Sequence, residues 1–283
     1  MLEIIFFLTA LTGSGLAGII DLKTTEIPDK IPYLMIILGI GGYALQSIML
    51  WSFSPLISSL IIGFIFLGIG FLMYFGGQWG GGDAKLLGAI GFLLPSFELK
   101  NILFSFPISY FFNLFLVGAV YMIIYIFILS IIRREIWTEF FKQLKKNSKK
   151  IVKFNLIFIF SIIAFGLYGS FYYSFELISM LKFGFFVILG TFGFFLFWKF
   201  AKTVENIGFK KKIPVSKLRE GDVLESSRIW EGITKQQLRK IKDSGKRYVK
   251  IKDGVRFAPS FSLALIFTYF QGDAIFWLIK YFI

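Results

Sequence analysis

Residues 55–88 read PLISSLIIGFIFLGIGFLMYFGGQWGGGDAKLLG. Positions 55–75 carry no charged side chain. A helix crossing a bilayer needs roughly 20 mostly apolar residues, so this run is long enough to span. The chain then stops. Glycines at 76, 77, 80, 81 and 82 weaken a helix, and Asp83 is a carboxylate that hydrocarbon does not tolerate without a reason. A span, a glycine-rich turn at the membrane surface and a new apolar run from Leu86 is the reading that fits, and the rest of the chain repeats the pattern.

Apolar runs fall at about 2–20, 32–50, 55–75, 86–97, 101–132, 154–175, 183–198 and 259–282. The 283-residue chain is 56% hydrophobic and holds 38 Phe, a composition that makes lipid its solvent. The first run has no basic n-region and no small-x-small cleavage site, so it reads as a retained span. The expected fold is an all-α polytopic membrane protein of about 6–8 transmembrane helices with a small α+β cytoplasmic domain.

Charge orients the spans. Residues 133–153 and 199–256 are both strongly basic, and loops rich in Lys and Arg stay in the cytoplasm. Eight alternating crossings then place loops 21–31 and 76–85 on that same face. The net charge of +14 is therefore topological, and nucleic-acid binding is not expected. The divisions expected are a membrane domain at 1–132, a basic amphipathic segment at 133–153 lying near the membrane face, and an additional transmembrane hairpin at 154–200. A cytoplasmic α+β domain at 201–258 and a C-terminal span at 259–283 complete them. Within the α+β domain, Thr234 and Gln237 have the spacing of a capping box before a short helix.

The chain has no cysteine and no histidine, which removes disulfides, thiolate nucleophiles and every Ser-His or Cys-His mechanism. Chemistry is left to carboxylates, lysines, hydroxyls or a borrowed metal. Five acids lie in or beside apolar runs: Asp21, Glu26, Asp29, Asp83 and Asp273. Each has a structural reading. Asp83 could cap a helix starting at Ala84, Asp21 could end the first span, Glu26 and Asp29 could be solvated, and Asp273 sits at the opposite membrane face. Taken together, Asp21 and Asp83 reach the same face from two different spans. Two carboxylates within hydrogen-bond reach share one proton. The ionised one can take a proton from water attacking a peptide carbonyl while the protonated one donates to the carbonyl oxygen. No metal or cofactor is needed. Gly80, Gly81 and Gly82 would supply left-handed backbone and clearance for a second chain, and Trp79 would anchor the loop at the interface.

Gly80-Gly81-Gly82-Asp83 with Ala84-Lys85-Leu86, and Asp21-Leu22-Lys23-Thr24-Thr25-Glu26-Ile27-Pro28-Asp29, lie about 60 residues apart. This pair resembles the GxGD aspartyl proteases of membranes, in particular the type IV prepilin peptidase family and its archaeal preflagellin/prepilin branch. Residues 254–261, GVRFAPSF, and 213–216, IPVS, are also similar to archaeal members. The resemblance implies that Asp21 and Asp83 are catalytic, with Gly80 and Gly82 as backbone support. It implies substrates that are pilin-like or archaellin precursors, cut after a short basic leader at the cytoplasmic face of the plasma membrane. Glu26 and Asp29 are candidates for binding the leader's Lys or Arg. Lys85 could bias the pair's charge or reach to lipid phosphates. Bacterial relatives that also N-methylate carry a cysteine-bearing region, so peptidase activity alone is expected.

Presenilin and signal-peptide-peptidase proteases share GxGD but pair it with Tyr-Asp and Pro-Ala-Leu, where this chain has Ile20-Asp21 and Pro259-Ser260-Phe261. A proton-coupled transporter, the rival of a different class, would show paired broken helices and carboxylates at the midplane. An inactive scaffold would keep the fold without cleavage.

Overall fold

A computed structural model describes residues 2–99, 104–173 and 177–275. The chain divides into two compact units, one of Met1–Tyr125 with Lys210–Ile283 and one of Ile126–Phe209. Five helices among the described residues are long and apolar enough to cross a membrane: Leu2–Thr24, Lys30–Met49, Ser54–Phe75, Phe106–Ile132 and Lys182–Phe209. The protein is a polytopic helical membrane protein with a small α+β domain.

In the first unit, helices α1 (Leu2–Thr24), α2 (Lys30–Met49) and α3 (Ser54–Phe75) surround a shorter helix, α4 (Gly81–Leu93). They turn apolar side chains such as Ile19, Ile37 and Phe64 outward. In lipid there is no hydrophobic drive between such helices, so close backbone approach holds them together. A Cβ at Gly70 would fall 2.7 Å from Ala84 Cα, which shows how tightly α3 and α4 meet.

The run at 86–97 is expected as a short span, yet α4 faces protein on all sides. Leu86, Leu87, Ala89 and Leu93 have no exposed surface. Being apolar all round suits lipid and protein interior equally, and only its 13-residue length separates the two. Its last carbonyls end inside the bundle, where no water can reach them. Ser59 Oγ donates to Phe92 O at 2.7 Å and Tyr43 OH donates to Leu93 O at 3.1 Å, so these orphan acceptors are satisfied by side chains.

Helix α5 (Phe106–Ile132) contributes its first part to this unit, and α9 (Pro259–Gln271) packs against α1. The expected C-terminal span runs on to 282, and its residues from 276 lie outside the described residues. Asn113 of α5 closes the far end of α9. Its amide nitrogen donates to Thr268 Oγ1 at 3.0 Å and to Gly272 O at 2.7 Å, and its oxygen accepts from Ala274 N–H at 3.1 Å. Asp273, also buried there, accepts from Phe104 N–H at 3.2 Å. Asn113→Leu would orphan buried backbone groups that cost about 1–3 kcal/mol each. We expect a stability loss of about 3 kcal/mol in denaturant unfolding of the purified chain.

The α+β domain pairs β1 (Lys210–Pro214) antiparallel with β2 (Tyr248–Lys252), with α8 (Lys235–Asp243) between them in sequence. Leu218, Ile233 and Ile251 form its small core. The capping box is present: Gln237 N–H donates to Thr234 Oγ1 at 3.3 Å, and Thr234 N–H donates to Gln237 Oε1 at 2.9 Å.

In the second unit, α6 (Glu135–Tyr173) is one continuous helix followed by α7 (Leu177–Val204). The basic segment and the first half of the extra hairpin are thus a single element. Nothing between Glu135 and Phe165 interrupts it, since the stretch contains neither proline nor glycine. At its start two aromatic rings, Trp137 and Phe140, pack against α7, while Phe141 beside them stays exposed. The ring of Phe200 lies 4.9 Å from that of Trp137 and 5.5 Å from that of Phe140.

Candidate active site

Helix α1 ends in a tight exit. Thr25 takes a left-handed backbone, φ 62°, and its N–H donates to Asp21 O at 2.8 Å. Asp21 is therefore held on the last turn, with the loop folding back past Ile27. One turn earlier Gly18 lets α9 approach: a Cβ there would sit 3.0 Å from Pro259 Cα. The contact brings Ala258 N–H to Asp21 Oδ2 at 3.1 Å, and the carboxylate is buried.

Asp83 is positioned by the start of α4. The helix begins at Gly81, so Asp83 is its third residue and does not cap a helix starting at Ala84. Its Oδ2 accepts from Gly80 N–H at 3.0 Å, and Ala84 N–H donates to Gly80 O at 3.3 Å. A helix N-terminus favours a carboxylate at this place. Of the three glycines, Gly82 is the one that packing requires. Gly80 is extended with φ −76°, and none of the three has positive φ. A Cβ on Gly82 would lie 2.7 Å from Ile27 Cβ, so the clearance is filled by the α1–α2 loop.

Both carboxylates open onto one cavity of about 770 Å³, within the size range of ligand pockets. They lie within electrostatic reach of each other. Glu26 and Gly80 to Gly82 line the same cavity, and its opposite wall comes from the α+β domain. That domain is fastened to the glycine loop: Trp230 Nε1 donates to Gly77 O at 3.0 Å, and Lys252 Nζ lies 4.2 Å over the Trp230 ring. Trp79, expected at the interface, is instead buried against Phe115, Phe257 and Phe261.

Asp29 and Lys85 pair with each other, Nζ to Oδ1 at 2.7 Å, beside the Tyr33 ring, and neither lines the cavity. Among the described residues no group of three or more His, Cys, Asp or Glu is placed to hold a metal ion. The residues that the motifs alone did not single out are Ala258, Arg256 and Trp230. GVRFAPSF carried the signal for the first two, without a reason in the residues for its proximity to Asp21.

Fold and site define a polytopic membrane protein with two carboxylates brought from separate helices into one cavity. The type IV leader peptidase family matches residues 5–132, the part that carries both. A preflagellin peptidase of Methanococcus maripaludis is 32% identical over 142 residues, covering 45% of this chain and 61% of that protein. A preflagellin peptidase of Methanocaldococcus jannaschii is 30% identical over 173 residues, covering 53% of this chain and 71% of that protein. The chain belongs to the type IV leader peptidase family. No solved structure matches it.

Proposed function

We propose that the chain is a membrane aspartyl endopeptidase that removes the short leader peptide from archaellin or type IV pilin-like precursors. The observation that carries this reading is the meeting of Asp21 and Asp83 in one cavity. Two buried carboxylates close enough to feel each other's charge favour a state in which one is ionised and the other keeps its proton. The ionised one takes a proton from water as the oxygen attacks the scissile carbonyl, and the protonated one donates to the carbonyl oxygen. The tetrahedral intermediate then collapses: the C–N bond breaks as the first carboxylate passes the proton it took from water to the leaving amine, and a gem-diol hydroxyl returns a proton to the second. Peptide hydrolysis alone is proposed, without N-methylation.

The basic segments at 133–153 and 199–256 favour a cytoplasmic site in the plasma membrane, since the α+β domain within the second of them walls the cavity. The cavity is also acidic. Asp253 pairs with Lys211, Glu220 lies 3.8 Å from Lys235, and Asp222 accepts from Arg219 N–H. Glu26 has no ion-pair partner among the described residues and is the group proposed to meet a basic leader side chain. Asp29, already paired with Lys85, would join it only by exchanging that partner.

Purified chain in lipid, incubated with a precursor subunit, should yield a single cut at the end of the leader by mass spectrometry; intact substrate would contradict the proposal. Glu26→Gln should raise KM for a basic leader about threefold, the effect of an exposed ion pair. KM for a leader with neutral residues should stay the same, and an equal rise on both would remove Glu26 from recognition.

A further inference from the structure

The two carboxylates are not equivalent, and the difference comes from the segment that enters α9. Ala258 N–H reaches Asp21, and Arg256 lies two residues before it. Arg256 is fixed at both ends by α5. Its carbonyl accepts from Tyr121 OH at 2.8 Å, and its Nη1 donates to Tyr125 OH at 2.7 Å. The two phenols are one turn apart with ring centroids at 6.1 Å, so they form a rigid rack for the arginine. The guanidinium is half-buried, and no carboxylate lies within ion-pair distance of it among the described residues. Its Nε is shut off from solvent without a hydrogen-bond partner among the described residues. The carboxylate that feels its charge is Asp21.

We propose that Arg256, racked by Tyr121 and Tyr125, is a positioning residue that keeps Asp21 the ionised, water-activating member of the pair and leaves the proton on Asp83. The assignment rests on the peptidase reading above. Each carboxylate accepts one backbone N–H, so hydrogen bonding alone does not separate them. The surrounding charge does. Both are buried to a similar degree, but Asp21 lies in the field of a cation anchored on the entry to α9, whereas the charge that acts on Asp83 is the negative one of Asp21. An opposite charge favours the ionised form and a like charge disfavours it.

The other titratable groups around Asp21 are Tyr121 of α5 and Glu26 of its own loop, with Arg219, Glu220 and Asp222 of the α+β domain across the cavity beside Lys252 and Asp253. Those across the cavity pair with each other, with neighbours of their own domain or with solvent, and they are near balance: three acids against two bases. Tyr121 and Glu26 add no positive charge. Arg256 is the cation fixed two residues before the Ala258 N–H that Asp21 accepts.

The consequence is a proton left on the acid partner at the outset. Asp83 then donates to the carbonyl oxygen, and Asp21 accepts the proton from water. Without the arginine, the positive charge that favours the ionised form of Asp21 is gone, so the acid side of the pH–rate profile would move upward.

The test uses the whole chain, purified in lipid, with a synthetic leader-bearing peptide, and records kcat and KM across pH. Arg256→Met should displace the acid limb of kcat by about one pH unit upward, a roughly tenfold loss below the limb, with KM within about twofold of wild type. Arg256→Lys should return the limb toward the wild-type position. A uniform fall in kcat with the limb unmoved would mean that Arg256 only braces the turn, and would overturn the inference. If the methionine variant does not fold, Tyr125→Phe decides, because it keeps the charge and frees its anchor. A limb moved in the same direction supports the inference and an unmoved limb overturns it. A wild-type chain that cleaves no leader peptide would remove the peptidase reading and this inference together, whereas an active wild type with an unmoved limb removes the inference alone.

Discussion

Asparagine in place of either Asp21 or Asp83 is expected to lower kcat for leader cleavage by about four orders of magnitude. General acid–base catalysis supplies about 10²–10⁴-fold per group, and here neither role can be taken over by a neighbouring His or Cys, because the chain has none. The loss should not be a folding loss. An asparagine oxygen can still accept the Ala258 N–H that Asp21 takes at 3.1 Å, or the Gly80 N–H that Asp83 takes at 3.0 Å. Asparagine also removes the buried charge of an ionised Asp21 and is close in shape to a protonated Asp83, so neither variant adds a desolvation cost. Thermal unfolding of both variants should therefore stay near wild type while single-turnover cleavage is lost. A variant that kept its rate would show that its carboxylate is not part of the chemistry.

The second large effect lies one contact away from the chemistry. A Cβ at Gly70 would stand 2.7 Å from Ala84 Cα and 2.8 Å from Ala84 O. These are backbone atoms of α4, which is enclosed by α2 and α3 and cannot rotate away as a side chain would. Overpacking a tight contact costs about 1–3 kcal/mol, and Gly70→Val should reach the upper end. Because Ala84 follows Asp83 directly, the displacement also moves the carboxylate proposed as catalytic, so cleavage should fall with stability. Gly68 provides the control. A Cβ there meets nothing within 4 Å, and Gly68→Ala should change neither unfolding nor cleavage. Equal behaviour of the two variants would refute the close-packing account of α3 and α4.

Much of this was readable from residues. Apolar runs and basic loops gave a polytopic membrane protein, because lipid permits few alternatives to helices at such lengths. W-G-G-G-D and D-L-K-T-T-E-I-P-D announced themselves as polar interruptions at span ends, and topology alone placed them on one face. Thr234 and Gln237 form a local motif that needs no tertiary context. What stayed hidden depended on distant partners. Ala258 N–H and Asp21 are 237 residues apart in sequence, and an N–H leaves no mark in composition. Helix α4 is as apolar as a lipid-facing span, so its enclosure follows only from its neighbours. Trp79 has the residue type of an interfacial anchor, but three aromatic rings in the bundle claim it. The glycines before Asp83 suggested unusual backbone angles, whereas Gly82 is small because Ile27 occupies the space its side chain would need.

The claim that Asp21 and Asp83 act as one unit is tested most directly by the Asp21→Asn/Asp83→Asn double variant, with kcat for leader cleavage measured beside both single variants. Groups that share one proton-transfer task lose it once, so the double variant should be no slower than the slower single variant. Losses that multiply, with the double variant slower than either by the product of the two effects, would show two independent carboxylates and contradict the dyad.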